Sequence, residues 1–291
     1  MKLHQPSVIK DIRDRYDFRL SKSLGQNFIT DENVIEGIVE GAGITGDDLV
    51  IEIGPGIGVL TARAAEAAGR VVAVEIDEKL IPILAETLVG YDNIRVINRD
   101  ILKTDINGII EEERKEGFSG CVKIIGNLPY YITTPIIMKL LEDGIQADSI
   151  TVMMQKEVAD RIRSGPGSRT YGAISVAVQY YCTVEEIMKV PRDVFIPRPK
   201  VDSAVLKLTL RDEPSVAPSD KKAFFACVKA GFGQRRKTLL NSLTGYLDMS
   251  KEDVGKVLAL ADIDPRRRAE TLSIQEFSRI SDKASEFVKS K

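Results

Sequence analysis

The residues able to do chemistry stand in short stretches, each just after an apolar run. Leu49-Val50-Ile51-Glu52-Ile53 runs into Gly54-Pro55-Gly56-Ile57-Gly58. Glycines let the backbone turn tightly and let a ligand approach it closely. At the carboxyl end of a parallel strand that is where open sheets bind ligands. The spacing is G-x-G-x-G, out of phase with the dinucleotide pattern G-x-G-x-x-G. Glu75 ends the run Val71-Val72-Ala73-Val74, and a carboxylate there can accept from both hydroxyls of a ribose. Asp100 follows Ile94-Arg95-Val96-Ile97; it can accept from an adenine amino group with Ile101 beside the ring. A plain strand–helix turn explains the glycine loop taken alone. Turn, ribose acceptor and adenine acceptor at three successive strand tips point together to an adenosyl ligand.

A fourth tip, Asn127-Leu128-Pro129-Tyr130, follows Val122-Lys123-Ile124-Ile125-Gly126. Asn and Pro are also ordinary turn residues. A side-chain amide and a backbone carbonyl stiffened by proline nevertheless make two acceptors suited to an exocyclic amine. Tyr130 adds a face for a base. Loops of the [DNS]-P-P-[YFW] type do this in amino methyltransferases, and E-x-G-x-G-x-G loops occur in those that use S-adenosylmethionine (SAM).

The elements that must position these groups read as a parallel sheet. Five apolar runs, the fifth being Ile150-Thr151-Val152-Met153-Met154, alternate with helical patterns at 59–68, 78–89 and 134–142. Ala204–Leu210 reads as a late strand, expected antiparallel. Asp212–Pro218 carries two prolines and no periodicity, a linker. Only helical patterns follow it: Ser219 is expected to cap the first, Ser250 and Asp253 another, Pro265 to open a third, and Ser273 with Glu276 to box the last. The expected fold is thus α/β, a Rossmann-like class I methyltransferase domain with a small C-terminal all-α domain. Its divisions are residues 1–211 (with an N-terminal segment 1–30), a linker 212–218 and helices 219–291.

Composition narrows the chemistry. The 291 residues are 43% hydrophobic and 29% charged, as in ordinary globular proteins. The single His, His4, falls in an expected tail, so no Ser-His-Asp or Cys-His mechanism is in view. Cys121, Cys182 and Cys227 lack ligand spacing and read as buried thiols, and no metal is expected. No apolar run is long enough to span a membrane, and Met1–Pro6 lacks the apolar stretch of a signal peptide, so no membrane partner is expected and the cytoplasm is the expected compartment. The net charge of −2 conceals a split: residues 31–160 carry 11 basic and 24 acidic groups, residues 161–240 carry 15 and 7. Basic groups are often merely solvated. The cluster Arg235-Arg236-Lys237, with Lys229 before it, suits a polyanion better.

Six segments in order resemble the ribosomal RNA adenine dimethyltransferase family, in the type that modifies small-subunit rRNA. They are Leu24-Gly25-Gln26-Asn27-Phe28-Ile29, Glu52–Gly58, Glu75 with Asp100, Asn127–Pro135, Val194–Val205 (the family's F-x-P-x-P-x-V-x-S) and Phe232–Asn241 (its F-x-Q-R-R-K-T-L-x-N). One departure is Asn98-Arg99 before Asp100, where many members have Gly or Glu. The resemblance implies SAM as cofactor, with S-adenosylhomocysteine as product. It implies a pocket formed by Asn27, Ile29, Gly54, Glu75, Asp100 and Asn127. It implies a target adenine held by Asn127, Leu128 and Pro129, and stacked between Tyr130 and Phe195. Its partner would be small-subunit rRNA in an assembly intermediate, gripped by Lys229, Arg235, Arg236 and Lys237 at the start of a helix; because that partner is large, the enzyme is expected to be a monomer. Three other readings compete: a large-subunit rRNA methyltransferase conferring antibiotic resistance, a SAM-binding assembly scaffold, and a nicotinamide-dependent dehydrogenase, the last disfavoured by the glycine phase.

Overall fold

A computed structural model of the chain describes residues 2–18 and 24–290. An N-terminal helix α1 (Pro6–Arg15) and a two-residue strand β1 (Phe28–Ile29) precede α2 (Glu32–Ala42). Strands and helices then alternate: β2 (Leu49–Ile53), α3 (Val59–Ala67), β3 (Arg70–Glu75), α4 (Ile81–Thr87), β4 (Ile94–Asn98), α5 (Ile106–Lys115), β5 (Val122–Asn127), α6 (Thr133–Glu142) and β6 (Ser149–Gln155). Next come α7 (Lys156–Arg163), α8 (Ala173–Tyr181), β7 (Cys182–Val190), β8 (Phe195–Ile196) and β9 (Ser203–Leu210). The principal helices after β9 are α9 (Lys221–Gly233), α10 (Leu239–Ser242), α11 (Lys251–Leu260) and α12 (Ile274–Lys289).

Seven strands form one sheet in the order β4-β3-β2-β5-β6-β9-β7. β2 pairs in parallel with β3 and β5, β3 with β4, and β5 with β6; β9 runs antiparallel to β6. The fold is the expected one, a mostly parallel sheet with an antiparallel late strand and helices around it. Every residue of β2 is buried, as a strand covered on both faces requires. Register then aligns the carboxyl ends: Ile53 faces Val74, Glu75 faces Asn98, and Asn127 faces Met153.

The chain divides into two compact units, Met1–Ala159 with Val184–Leu210, and Asp160–Thr183 with Arg211–Lys291. In the first unit Ile38, Val39, Leu60 and Ala64 pack on Val50, Val71 and Ile125 of the sheet. The N-terminal segment is no tail. Leu3, Ile9 and Ile12 are buried with Phe28, Ile57 and Ile83 because they share one face of α1 and its approach. His4 is accordingly held there, its Nε2 3.7 Å from Glu32.

The second unit is built on Phe224, Leu239, Val257, Leu272 and Phe277, and Tyr171, Val176 and Tyr180 join them. Residues 160–183 therefore group with the helices that follow β9. Sequence pattern alone assigns them to the first domain, since periodicity marks an apolar face without saying which core receives it. The helix caps also differ in part. Asp220, one residue nearer the helix, accepts from the backbone of Lys222 and Ala223, while Ser219 donates to Asp282. The Ser250–Asp253 and Ser273–Glu276 boxes form as expected. Pro265 opens no helix: Asp264 accepts from the Arg266 amide and closes a turn instead. Cys182 and Cys227 are buried, but Cys121 is exposed just ahead of β5. No helix among the described residues is long and apolar enough to cross a membrane.

Candidate active site

The strand tips are stitched to one another. The Gly54 amide donates to the Val74 carbonyl at 3.0 Å, and the Arg99 amide to the Glu75 carbonyl at 2.9 Å. Gly54, Gly56 and Gly58 have φ of +71°, +61° and +87°, values that glycine alone adopts without strain. A Cβ on Gly54 would meet only open space, so its backbone lies bare to a ligand. A Cβ on Gly56 would press against the Phe28 ring at 3.0 Å, so that glycine also admits the N-terminal segment.

Asn27, Ile29, Gly54, Glu75, Asp100 and Asn127 all line one pocket at this edge. Glu75 is 5% exposed; its Oε1 accepts from the Asp77 amide at 2.8 Å and its Oε2 from the Gly56 amide at 3.2 Å. Burial raises its pKa, against those amides, which favour the charged form. Each oxygen keeps a further lone pair for a hydroxyl donor. Asp100 uses Oδ1 to cap the following turn through the Leu102 amide at 2.9 Å.

Sequence reading passed over Glu52, noticed only as the start of the glycine motif. It lines the same pocket, is 1% exposed, and its Oε2 makes no hydrogen bond among the described residues. Burial pushes this carboxyl up to about 8, the Thr61 hydroxyl pulling the other way and Glu75 adding to the rise.

At the fourth tip the Asn127 Nδ2 donates to the backbone carbonyl of Asn27 at 2.8 Å. The Leu128 side chain is buried and its amide donates to Met153. The Pro129 carbonyl accepts from the Ile132 amide and the Thr133 hydroxyl, which closes the turn. Asn127 and Pro129 line the pocket. Tyr130 is half-buried, its hydroxyl 2.7 Å from that of buried Ser203. Of the two adjacent tyrosines it is Tyr131, 56% exposed, that lines the pocket. Phe195 stands otherwise than expected. Its ring is 3% exposed and packs with Ile29, Val34 and Val190. Pairing of β8 with β1 puts Phe195 opposite Ile29 and turns the ring into the core, so it offers no open face to a base here.

In the second unit Lys229, Arg235, Arg236 and Lys237 are exposed. The last three lie in the turn after α9, not at the start of a helix, because Gly233 ends α9 and the next helix begins at Leu239. Arg235 is tied down: its Nη2 donates to the carbonyls of Arg169 and Tyr171 at 2.9 and 2.8 Å. The Leu239 and Leu240 amides donate to the Arg267 and Pro265 carbonyls. These bonds bring exposed Arg169, Arg266 and Arg268 to turns beside Arg236 and Lys237. The sequence separates those arginines by tens of residues, which is why charge counting missed them.

The profile of the family described as ribosomal RNA adenine dimethylase matches residues 17–285. This chain belongs to that family. A protein of Alkaliphilus metalliredigens named ribosomal RNA small subunit methyltransferase A is 54% identical over 96% of this chain and 97% of its own length. A protein of the same name from Clostridioides difficile is 51% identical, over 96% of each. Among solved structures, a dimethyladenosine transferase from Plasmodium falciparum has a TM-score of 0.70 at 24% identity, covering 87% of this chain and 95% of its own. The 23S rRNA methyltransferase ErmE has a TM-score of 0.66 at 27% identity, covering 89% and 99%.

As a ribosomal RNA adenine dimethylase the chain is a SAM-dependent methyltransferase acting on rRNA. The pocket fits that cofactor. Gly54 leaves the space a side chain would fill, Glu75 offers acceptors, and buried Glu52 leaves its Oε2 without a protein partner among the described residues.

Proposed function

We propose that this chain dimethylates N6 of adjacent adenosines near the 3′ end of small-subunit (16S) rRNA, acting as a monomer on an assembly intermediate in the cytoplasm. The choice of subunit is supported by the relatives about half identical along almost the whole chain, which carry that subunit in their names. The observation that carries the chemistry is the Asn127 amide. It stands at the pocket with Nδ2 engaged by the Asn27 carbonyl, while Oδ1 makes no hydrogen bond among the described residues.

Bound SAM supplies an electrophilic methyl on a sulfonium, so the adenine amine need not lose a proton first. Asn27, Ile29, Gly54, Glu75 and Asp100 would hold the cofactor, with Glu75 as acceptor for its ribose and Asp100 as acceptor for its adenine. Asn127 Oδ1 and the Leu128 carbonyl accept from the target amine, with Pro129 stiffening the loop. Those two bonds favour a pyramidal nitrogen whose lone pair faces the methyl. SAM held there would supply the methyl to that lone pair, with its sulfur as leaving group, and the amine's proton would then pass to water. Alignment supplies most of the rate. This route calls on neither imidazole nor metal. For the second transfer the monomethylated amine rotates and presents its remaining N–H.

The target adenine leaves its stack, and an aromatic face returns about 1–3 kcal/mol per base. Tyr130, anchored through Ser203, and exposed Tyr131 provide such faces. Arg236 and Lys237, with Lys229, Arg169, Arg266 and Arg268, meet phosphates, while Arg235 shapes the turn that presents them.

The test is tritium transfer from labelled SAM to undermethylated small subunits, with large subunits as control. Label recovered as dimethyladenosine in small-subunit RNA only, and lost in Asn127→Ala, is expected. Label in large-subunit RNA would assign the chain to the other substrate. No label with SAM still bound would leave a scaffold.

A further inference from the structure

The Asn27–Asn127 hydrogen bond joins residues that are 100 positions apart in the chain. Only an N–H donates to a carbonyl, so the contact at 2.8 Å fixes which end of the Asn127 amide is nitrogen. Rotated by half a turn, the amide would set two carbonyl oxygens against each other and offer an NH₂ group to an amine that needs an acceptor. We propose that the backbone carbonyl of Asn27 is a positioning group for methyl transfer: it holds the Asn127 amide with Oδ1 toward the target amine. This rests on the reading of Asn127 as acceptor and gives the N-terminal segment a role in the chemical step beyond holding cofactor.

The carbonyl is itself fixed from several directions. The Asn27 Nδ2 donates back to the Gly25 carbonyl at 3.0 Å. Gly25 has φ of +62°, and a Cβ there would lie 3.3 Å from Pro129 and 3.4 Å from the Tyr131 ring. Gln26 Nε2 donates to Asp77 Oδ2 at 2.8 Å, two residues past Glu75. On the other side β1 begins at the next residue, with Phe28 paired to Ile196. The carbonyl therefore sits in a braced turn seated directly on the loop that carries Asn127.

Two substitutions loosen this brace without touching Asn127. Gly25→Ala strains the turn and pushes it off Pro129. Asn27→Asp keeps the shape but replaces the donor to Gly25 with a repelling oxygen. The Asn127 side-chain amide is followed by NMR on protein labelled with ¹⁵N-asparagine, its signal assigned by its loss in Asn127→Asp. In wild type one amide proton should be shifted downfield and slow to exchange. In either variant it should return to the position of a free amide. The single-turnover methyl-transfer rate at saturating SAM and RNA should fall about tenfold or more, as expected for a misaligned reacting group. SAM affinity, measured separately, should fall by a smaller factor.

A wild-type signal typical of a free amide overturns the proposal. So does a variant whose signal moves while its rate holds, or whose rate falls with the signal unmoved. Should Asn127→Ala itself methylate at the wild-type rate, the reading of Asn127 as acceptor fails instead, and that outcome is visible without the brace variants.

Discussion

The polar groups around the pocket and the cations of the second unit are held in opposite ways. At the sheet edge the backbone takes two bonds from Glu75, on Gly56 and Asp77, and one each from Asp100, on Leu102, and Asn127, on Asn27. Burial makes such bonds obligatory, since a buried polar group without a partner costs about 1–3 kcal/mol. In the second unit Lys229, Arg236 and Lys237 are exposed, and the fold fixes the turn that carries the last two more tightly than the side chains themselves. Aligning a lone pair on a methyl demands fixed atoms. Neutralising phosphates demands charge at roughly the right place.

This contrast is broken most easily at Asn127. Asn127→Ala removes the acceptor and should lower the methyl-transfer rate by about 100-fold or more, the scale seen when one preorganised polar group is deleted. SAM affinity, measured by calorimetry, should change far less. Glu75→Gln should reverse the pattern. It keeps the shape, removes the charge, and should weaken SAM by roughly 10- to 100-fold, the worth of hydrogen bonds to a charged group. Its rate at saturating SAM should stay near wild type. If both variants lose rate and affinity alike, the pocket does not divide its labour as proposed.

The centre of the sheet was legible in the sequence because β2, β3, β5 and β6 are largely buried and read as apolar runs, while β4 and β7 at its edges are not. The tips were legible because a glycine loop and two carboxylates fall at three successive strand ends, although each alone is an ordinary turn signal. What stayed hidden depends on contacts between distant segments. Nothing local says that the Asn27 carbonyl reaches Asn127, that pairing of β8 with β1 turns Phe195 inward, or that Tyr171 and Tyr180 belong to the core of Phe224 and Phe277. Ser219 and Asp220 are both good caps, and one residue decided between them.

Glu52 sharpens the comparison through pH. Its carboxyl is raised from 4.5 to about 8, chiefly by burial. Between those values the ligand-free native state holds a proton that the unfolded chain has released. Stability from this group is therefore fully present at low pH, falls as pH rises, and levels off above the raised value. Glu52→Gln mimics the protonated form at every pH. In urea titrations it should gain on wild type from pH 5 upward by as much as about 1.4 kcal/mol per pH unit, until the curves run parallel. Parallel curves across the whole range would mean that Glu52 is charged in the free protein.

The smallest effects are expected among the exposed cations, where the difference between two neighbours is informative. The side chains of Arg236 and Lys237 carry no ion pair or hydrogen bond among the described residues, whereas the Arg235 guanidinium holds the carbonyls of Arg169 and Tyr171. Removing Arg236 and Lys237 together should weaken RNA binding modestly and flatten its dependence on salt, each lost phosphate contact lowering the log–log slope by about 0.7 to 1. Thermal stability should be unchanged, because neither side chain is part of the core. Arg235→Ala should do the converse. It unties the segment that delivers Tyr171 to the core of the second unit, so the melting temperature should drop while the salt slope changes less. Equal slopes for the two variants, with equal melting temperatures, would show that Arg235 is one more phosphate contact and that the second unit positions nothing.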